Sequence, residues 1–177
     1  MSESTTSHER IITKVLCGGE TGADRAAVDF AVENAIAYGG WVPLNGWAED
    51  FRVAPGLTET YPHFVATQSA DVAVRTTLNV RDARATVIFS PPRVTSRGVA
   101  QTLDIARALR RPFSVIDPTS PSAPALLDQF FSGLAPAATL NVAGPRESEA
   151  PGIYDAVRNL LLGALKYFVT QGDSARE

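Results

Sequence analysis

An α/β fold, a single domain with a mostly parallel sheet flanked by helices, follows from three features of this 177-residue chain. Short β-branched runs alternate with helical stretches along its length, the order that a sheet wrapped by helices produces. One run, ATVIFS at 85–90, is continuously apolar, as a strand covered on both faces must be. The composition, 45% hydrophobic and 20% charged, supplies one domain with a real core.

Taken in order, residues 1–10 read as a flexible polar leader, 11–169 as the ordered domain and 170–177 as a flexible polar tail. The first strand is IITKVL at 11–16, and the helix after it is expected over 22–37. Arg25, Asp29 and Glu33 recur at every fourth position of that helix, a narrow wet stripe on an otherwise apolar cylinder. Thr21 and Asp24 have capping-box spacing, which puts the helix start at the glycines. A short strand is expected at 40–43, followed by a long, proline-bearing, irregular segment over 44–67 that reads as site-lining. A helix at 71–82 leads to the strand at 85–90, then to the loop PPRVTSRG. Helical periodicity returns over 99–110, with a strand PFSVID at 112–117 behind it. Ser120, Pro121 and Pro124 open a further helix through Phe131. TLNVAG at 139–144 is the last strand, and the final helix starts near Pro151, a residue suited to a first helical turn. Its Val157, Leu160, Leu161, Ala164, Leu165 and Phe168 form a stripe assigned to the core.

Charge and cysteine content narrow the functional classes. A net charge of -3 supplies no global field for duplex nucleic acid, so an anionic ligand needs a local site. One cysteine allows no internal disulfide, two histidines offer no metal-ligand constellation, and no protein-ligated metal is expected. No apolar run reaches membrane-spanning length and the leader has no apolar core of a signal peptide, so a cytoplasmic protein is expected. The apolar helix faces suggest a homo-oligomer, dimer or tetramer.

In an open parallel sheet, ligands bind beyond the carboxyl ends of the strands. Three loops lie there: 17–22, 90–98 and 144–151. In the first, Gly18, Gly19 and Gly22 let a phosphate approach helix N-terminal amides with no Cβ in the way, although glycine also makes tight strand-to-helix turns. The spacing is neither that of a dinucleotide fingerprint nor that of a P-loop. Glu20 would repel phosphate but accept hydrogen bonds from ribose or pterin groups. Gly98 and the loop from Gly144 to Ser148 add further backbone amides.

Arg75 and Arg146 suit a bidentate phosphate clamp or, alternatively, surface ion pairs. Trp41 and Trp47 suit stacking on a base or pterin ring, or the core. Cys17 is a thiolate candidate at a helix N-terminus, or a small buried hydrophobe. Glu49 and Asp50 suit Mg²⁺ or ribose hydroxyls, or plain solvation, and His63 has no partner in view.

The segments CGGETGADRAAVD, YGGWVP followed by AED, RTTLNVRDA and LNVAGPRES with PGIY together resemble the molybdenum carrier family, a circularly permuted YpsA-like branch of the SLOG superfamily. The resemblance runs in order from about Val15 to Leu162. It implies a Rossmann-like fold that binds a phosphorylated or nucleotide-derived ligand, with the molybdenum cofactor (molybdopterin) or a nucleotide as the cofactor. On the family pattern the glycine loop is Gly18, Gly19, Thr21 and Gly22 with Asp24 and Arg25, and the second element is Gly39, Gly40 and Trp41 with Glu49 and Asp50. The third is Arg75, Thr76, Asn79 and Val80, and the last is Asn141, Gly144, Pro145, Arg146, Glu147 and Ser148. Two positions depart. Arg97, Gly98 and Val99 stand where the family has Gly-Gly-Thr, so the charge of Arg97 must replace a flexible cradle, and Trp47 replaces a basic residue.

The expected function is a binding or carrier protein for a phosphorylated pterin or nucleotide-derived ligand. The alternative is a nucleotide-processing enzyme, an N-glycosidase or phosphoribohydrolase acting on a nucleoside monophosphate or an ADP-ribose derivative, with Asp104 and Glu49 as its acids. Against it stands the absence of the PGGxGT turn of such enzymes.

Overall fold

The run ATVIF becomes β4 (Ala85–Phe89), buried at every position, in the computed structural model, which describes residues 10–172. On either side of β4 lie β5 (Phe113–Ile116) and β6 (Ala138–Ala143), and β6 pairs in turn with β1 (Ile12–Leu16). Beyond β1 come β2 (Ala37–Val42) and β3 (Phe64–Ala66). All six strands are parallel, in the order β3-β2-β1-β6-β4-β5. The chain therefore walks outward from β1, crosses to β4 and β5, and returns to fill the gap with β6. That reversal brings the loops after β1, β6 and β4 side by side at the carboxyl edge.

Helices α1 (Ala23–Glu33), α5 (Ala123–Ser132) and α6 (Ile153–Gly163) form one layer. Between them and the sheet lies the main core, where Phe168 meets Phe30 and Phe131 edge to face, with ring centroids 5.0 and 5.7 Å apart. Helices α3 (Val72–Asp82) and α4 (Arg97–Ala108) pack together as the other layer. Their buried residues are largely polar: Thr76, Asn79 and Thr102, facing Asn141 of β6. A polar interior on one side of the sheet is where a ligand site can enter it.

Five expectations change. The first helix stops at Glu33, not 37, because Asn34 donates its side-chain amide to Phe30 and the chain turns left-handed at Ala35 (φ 52). The amides of Ala35 and Ile36 then return to the carbonyls of Val32 and Ala31, a Schellman closure made with alanine in place of glycine. β2 consequently begins at Ala37, three residues before the expected 40. The segment 44–67 is not irregular throughout: it holds a 3₁₀ turn at Leu44–Gly46, α2 (Leu57–Thr60) and the edge strand β3. No capping box forms, since Gly22 is the N-cap without a side-chain bond, and Asp24 turns inward. α6 begins at Ile153, two residues beyond Pro151, after Gly152 (φ 88).

The leader (1–10) and tail (170–177) lie outside the described residues except for Arg10 and Thr170–Gly172. Thr170 bridges Ile36, and Gln171 donates its amide to the Ala35 carbonyl at 2.7 Å.

Candidate functional site

After β1 the chain turns through Cys17 to Gly22 into α1, and the glycines make room for the protein's own groups. A Cβ on Gly18 would lie 1.4 Å from Nη1 of Arg75, whose guanidinium reaches in from α3. Gly19 (φ 70) passes against Leu57 and Phe64. At Gly22 (φ 80) a Cβ would lie 2.4 Å from the Pro145 carbonyl oxygen, so this glycine lets the β6–α6 loop close onto α1. The Ala23 amide donates to that same carbonyl at 3.2 Å.

Two loop amides expected to face a ligand already hold carboxylates. Gly18 donates to Asp24 Oδ2 at 3.1 Å and Thr21 to Glu20 Oε1 at 3.0 Å. Both acids are only 5% exposed and must find donors inside the protein. Burial pushes the Asp24 carboxyl up to about 6, against the pull of Arg75 at 3.3 Å and with a further push from Glu20. Glu20 also accepts the Glu49 amide at 2.9 Å and faces Nε of Arg146 at 3.5 Å. Glu49, despite partial burial, is held below the usual carboxylate range by the hydroxyls of Thr21 and Ser148 and by Arg146.

Beside this network opens a cavity of about 470 Å³. Arg75 of α3, Arg97 and Gly98 of α4, and Gly144 and Arg146 of the β6–α6 loop all line it, with Glu20 and Glu149. An adjoining recess of about 40 Å³ shares Arg75, Thr76, Gly98 and Gly144 and is closed by Asn79 and Asn141. Three donors are unused. Nε of Arg75 is buried without a partner. At the start of α4, Ser96 accepts the Val99 amide at 3.3 Å, which leaves the Arg97 and Gly98 amides open among the described residues. A Cβ on Gly98 would meet only Ser96 Oγ, at 3.8 Å, so the approach there is clear. Guanidinium groups and amides at the positive end of a helix together favour an oxyanion.

The other expected residues have different places. Arg25 pairs with Asp50, Nη1 to Oδ2 at 2.7 Å, and donates to the Gly19 carbonyl, so it holds the glycine loop to the segment after β2. Trp41 and Gly40 line a separate cleft with Lys14, His63 and Asp82, and the indole donates to Asp82 at 2.8 Å. Gly40 is needed because a Cβ would stand 2.3 Å from the Cys17 carbonyl oxygen. Asn79 spans to β2, accepting from the Trp41 amide and donating to its carbonyl. Glu147 accepts the amides of Gly152 and Tyr154 and so caps α6.

Pro145 supplies the carbonyl that meets Ala23. Cys17 is buried, and burial pushes its thiol up, away from thiolate. His63 stacks on Tyr38 with centroids 4.9 Å apart. Asp104 lies on the exposed side of α4, outside the cavity. Ser96 and Glu149 were not foreseen: Glu149 Oε2 accepts from Ser96 Oγ and from the Arg146 amide. A serine just before a helix is a readable N-cap signal, whereas nothing local marks Glu149.

Residues 15–165 match the circularly permutated YpsA SLOG family. The chain belongs to this family. A crystal structure from Syntrophus aciditrophicus SB, of a protein named "Putative molybdenum carrier protein", is 37% identical to it. The match covers 88% of this chain and 96% of that one, with a TM-score of 0.77. Among curated proteins, none matches the sequence.

Within this SLOG domain the two departures from the family pattern both line clefts at the carboxyl edge. Arg97 joins Arg75 and Arg146 around the cavity. Trp47 lies under the Arg146 guanidinium, 5.6 Å from ring centre to Cζ. Among the described residues no helix is long and apolar enough to cross a membrane, and no group of three or more His, Cys, Asp or Glu is placed to hold a metal ion.

Proposed function

We propose that this chain is a binding or carrier protein for a phosphorylated small molecule, whose phosphate sits at the start of α4. One observation carries the reading: Arg75, Arg97 and Arg146, from three separate elements, line one cavity together with Gly98. Glu20, Asp71 and Glu149 on the same walls, with Asp24 behind Arg75, balance the arginine charge, so the cavity would hold an anion by directed donors, the guanidinium groups and the amides at the start of α4, and not by a surplus of positive charge. The family and the named relative support a ligand-binding or carrier role. The molybdenum cofactor, a phosphorylated pterin, suits this donor set through its phosphate, which would meet the Arg75 guanidinium and the open amides of Arg97 and Gly98. On this reading the metal stays with the pterin's own ligands.

Calorimetric titration with GMP tests the proposal. GMP is expected to bind with a salt-dependent affinity, and Arg97→Ala and Arg146→Ala should each weaken it about tenfold, the scale of one charge-assisted hydrogen bond. Absence of binding at millimolar GMP, or variants equal to the wild type, would contradict it.

Asp24 favours a second reading, turnover of the nucleotide. A carboxyl at about 6, lining the recess beside Gly144, is suited to exchange a proton near neutral pH, in contrast to Glu49, which is held below the usual carboxylate range. Chromatography of the titrated mixtures separates the readings, since only turnover releases guanine.

A further inference from the structure

A second cleft, of about 400 Å³, lies next to the arginine cavity and shares Ala70 and Val72 with it. Its walls are Pro43, Leu44, Asn45, Trp47, Arg52 and Ala54. The character changes across the shared residues. On one side are three guanidinium groups, and on the other an indole beside aliphatic surface, with Leu44 36% exposed. Trp47 is half-buried and touches both regions, since Arg146 lies over its ring. No hydrogen bond ties the Trp47 indole among the described residues, in contrast to Trp41, whose indole is fixed to Asp82.

From this geometry we infer that the Trp47 cleft is the ring subsite of the same ligand: it takes a flat, fused heteroaromatic ring whose phosphate lies among Arg75, Arg97 and Arg146. The inference rests on the phosphate reading above and adds the class of molecule attached to that phosphate. Three points support an aromatic ring in particular. An indole already stacked by a cation on one side presents a π surface that every base or pterin can use. The aliphatic walls reward displacement of water by an apolar face. Arg52, held by its Nε to the Glu49 carbonyl at 2.8 Å, adds a guanidinium plane to the rim. Of the two tryptophans that suit ring stacking, Trp41 lines a separate cleft with Lys14 and His63 that shares no lining residue with the arginine cavity.

The test compares GMP, neopterin monophosphate and ribose 5-phosphate by calorimetry on wild type, Trp47→Ala and Trp47→Phe. Wild type should bind at least one of the two ring-bearing phosphates about tenfold tighter than ribose 5-phosphate, the scale of one stacking contact. The preferred one identifies the source as purine or pterin. Trp47→Ala should erase the advantage while leaving ribose 5-phosphate within about twofold, and Trp47→Phe should keep most of it. In Trp41→Phe, where Trp47 is the sole indole, the preferred ligand should quench the emission saturably.

Equal affinity of all three phosphates for wild type would overturn the ring subsite and leave the phosphate reading intact. Equal losses for every ligand in Trp47→Ala would also overturn it, reducing Trp47 to a support for Arg146. Binding of none of the three would remove the phosphate reading, and the ring subsite with it.

Discussion

Asp24 shows how a residue's role depends on neighbours far away in sequence. Its place in the first turn of α1 suggested a helix cap, but the carboxylate instead holds the Gly18 amide and the Arg75 guanidinium. Its folded carboxyl titrates at about 6, against an ordinary 3.8. Between those values the folded chain holds a proton that the unfolded chain has lost, so stability falls as pH rises through the window. The contribution is complete below the ordinary range and gone above about 6. Urea midpoints followed from about pH 4 to about pH 6 should therefore fall for the wild type and fall less for Asp24→Asn. Equal slopes would contradict the assignment. Glu49 and Asp50, both held low, lose their contribution as pH falls below their ordinary values of 4.5 and 3.8, so Glu49 overlaps only the acid end of this window. Arginines 75 and 146 were legible as phosphate candidates, whereas the place of Trp47, and not Trp41, beside Arg146 was not. It depends on which side of β2 and of the following turn each indole faces, and only the packed sheet decides that.

At the scale of elements, two glycines at helix starts have opposite meanings. Gly22 stands at φ 80, with the Pro145 carbonyl 2.4 Å from where a Cβ would be. Gly22→Ala should cost about 2 to 4 kcal/mol through backbone strain and forced separation of α1 from the β6–α6 loop. Gly98 lies in the first turn of α4 with open space around it, so Gly98→Ala should leave the melting temperature unchanged or slightly raised. Differential scanning calorimetry checks both, and a Gly22→Ala variant as stable as the wild type would refute the packing argument. The sequence motif suggested that the glycines of the β1–α1 loop exist for a ligand, but in the structure they admit Arg75, Leu57, Phe64 and Pro145. A glycine run records close approach without saying of what. For the same reason the end of α1 was overrun: its Schellman closure uses Ala35, and no glycine marks the stop. The strand β3 was unreadable because its three residues are too few for alternation to register.

Across the whole molecule, alternation of strands and helices was enough for the α/β class and for placing three loops at one edge. The insertion of β6 between β1 and β4 was not legible, since strand order depends on pairings distant in sequence. Yet that insertion builds the site: it sets Gly144 and Arg146 against the loop from β1, with α3 and α4 closing the other side. The layer under α3 and α4 buries Thr76, Asn79 and Thr102 beside Val80 and Ala106, whereas the core under α1, α5 and α6 is apolar, so the candidate cavity opens on the more polar face of the sheet. The most direct measurement is a crystal structure grown with GMP. The expected result is a phosphate in the cavity, its oxygens at hydrogen-bond distance, about 2.7 to 3.2 Å, from the Gly98 amide and from at least two of Arg75, Arg97 and Arg146. A saturated crystal with only solvent among those arginines, or with the phosphate bound elsewhere, would contradict the phosphate site.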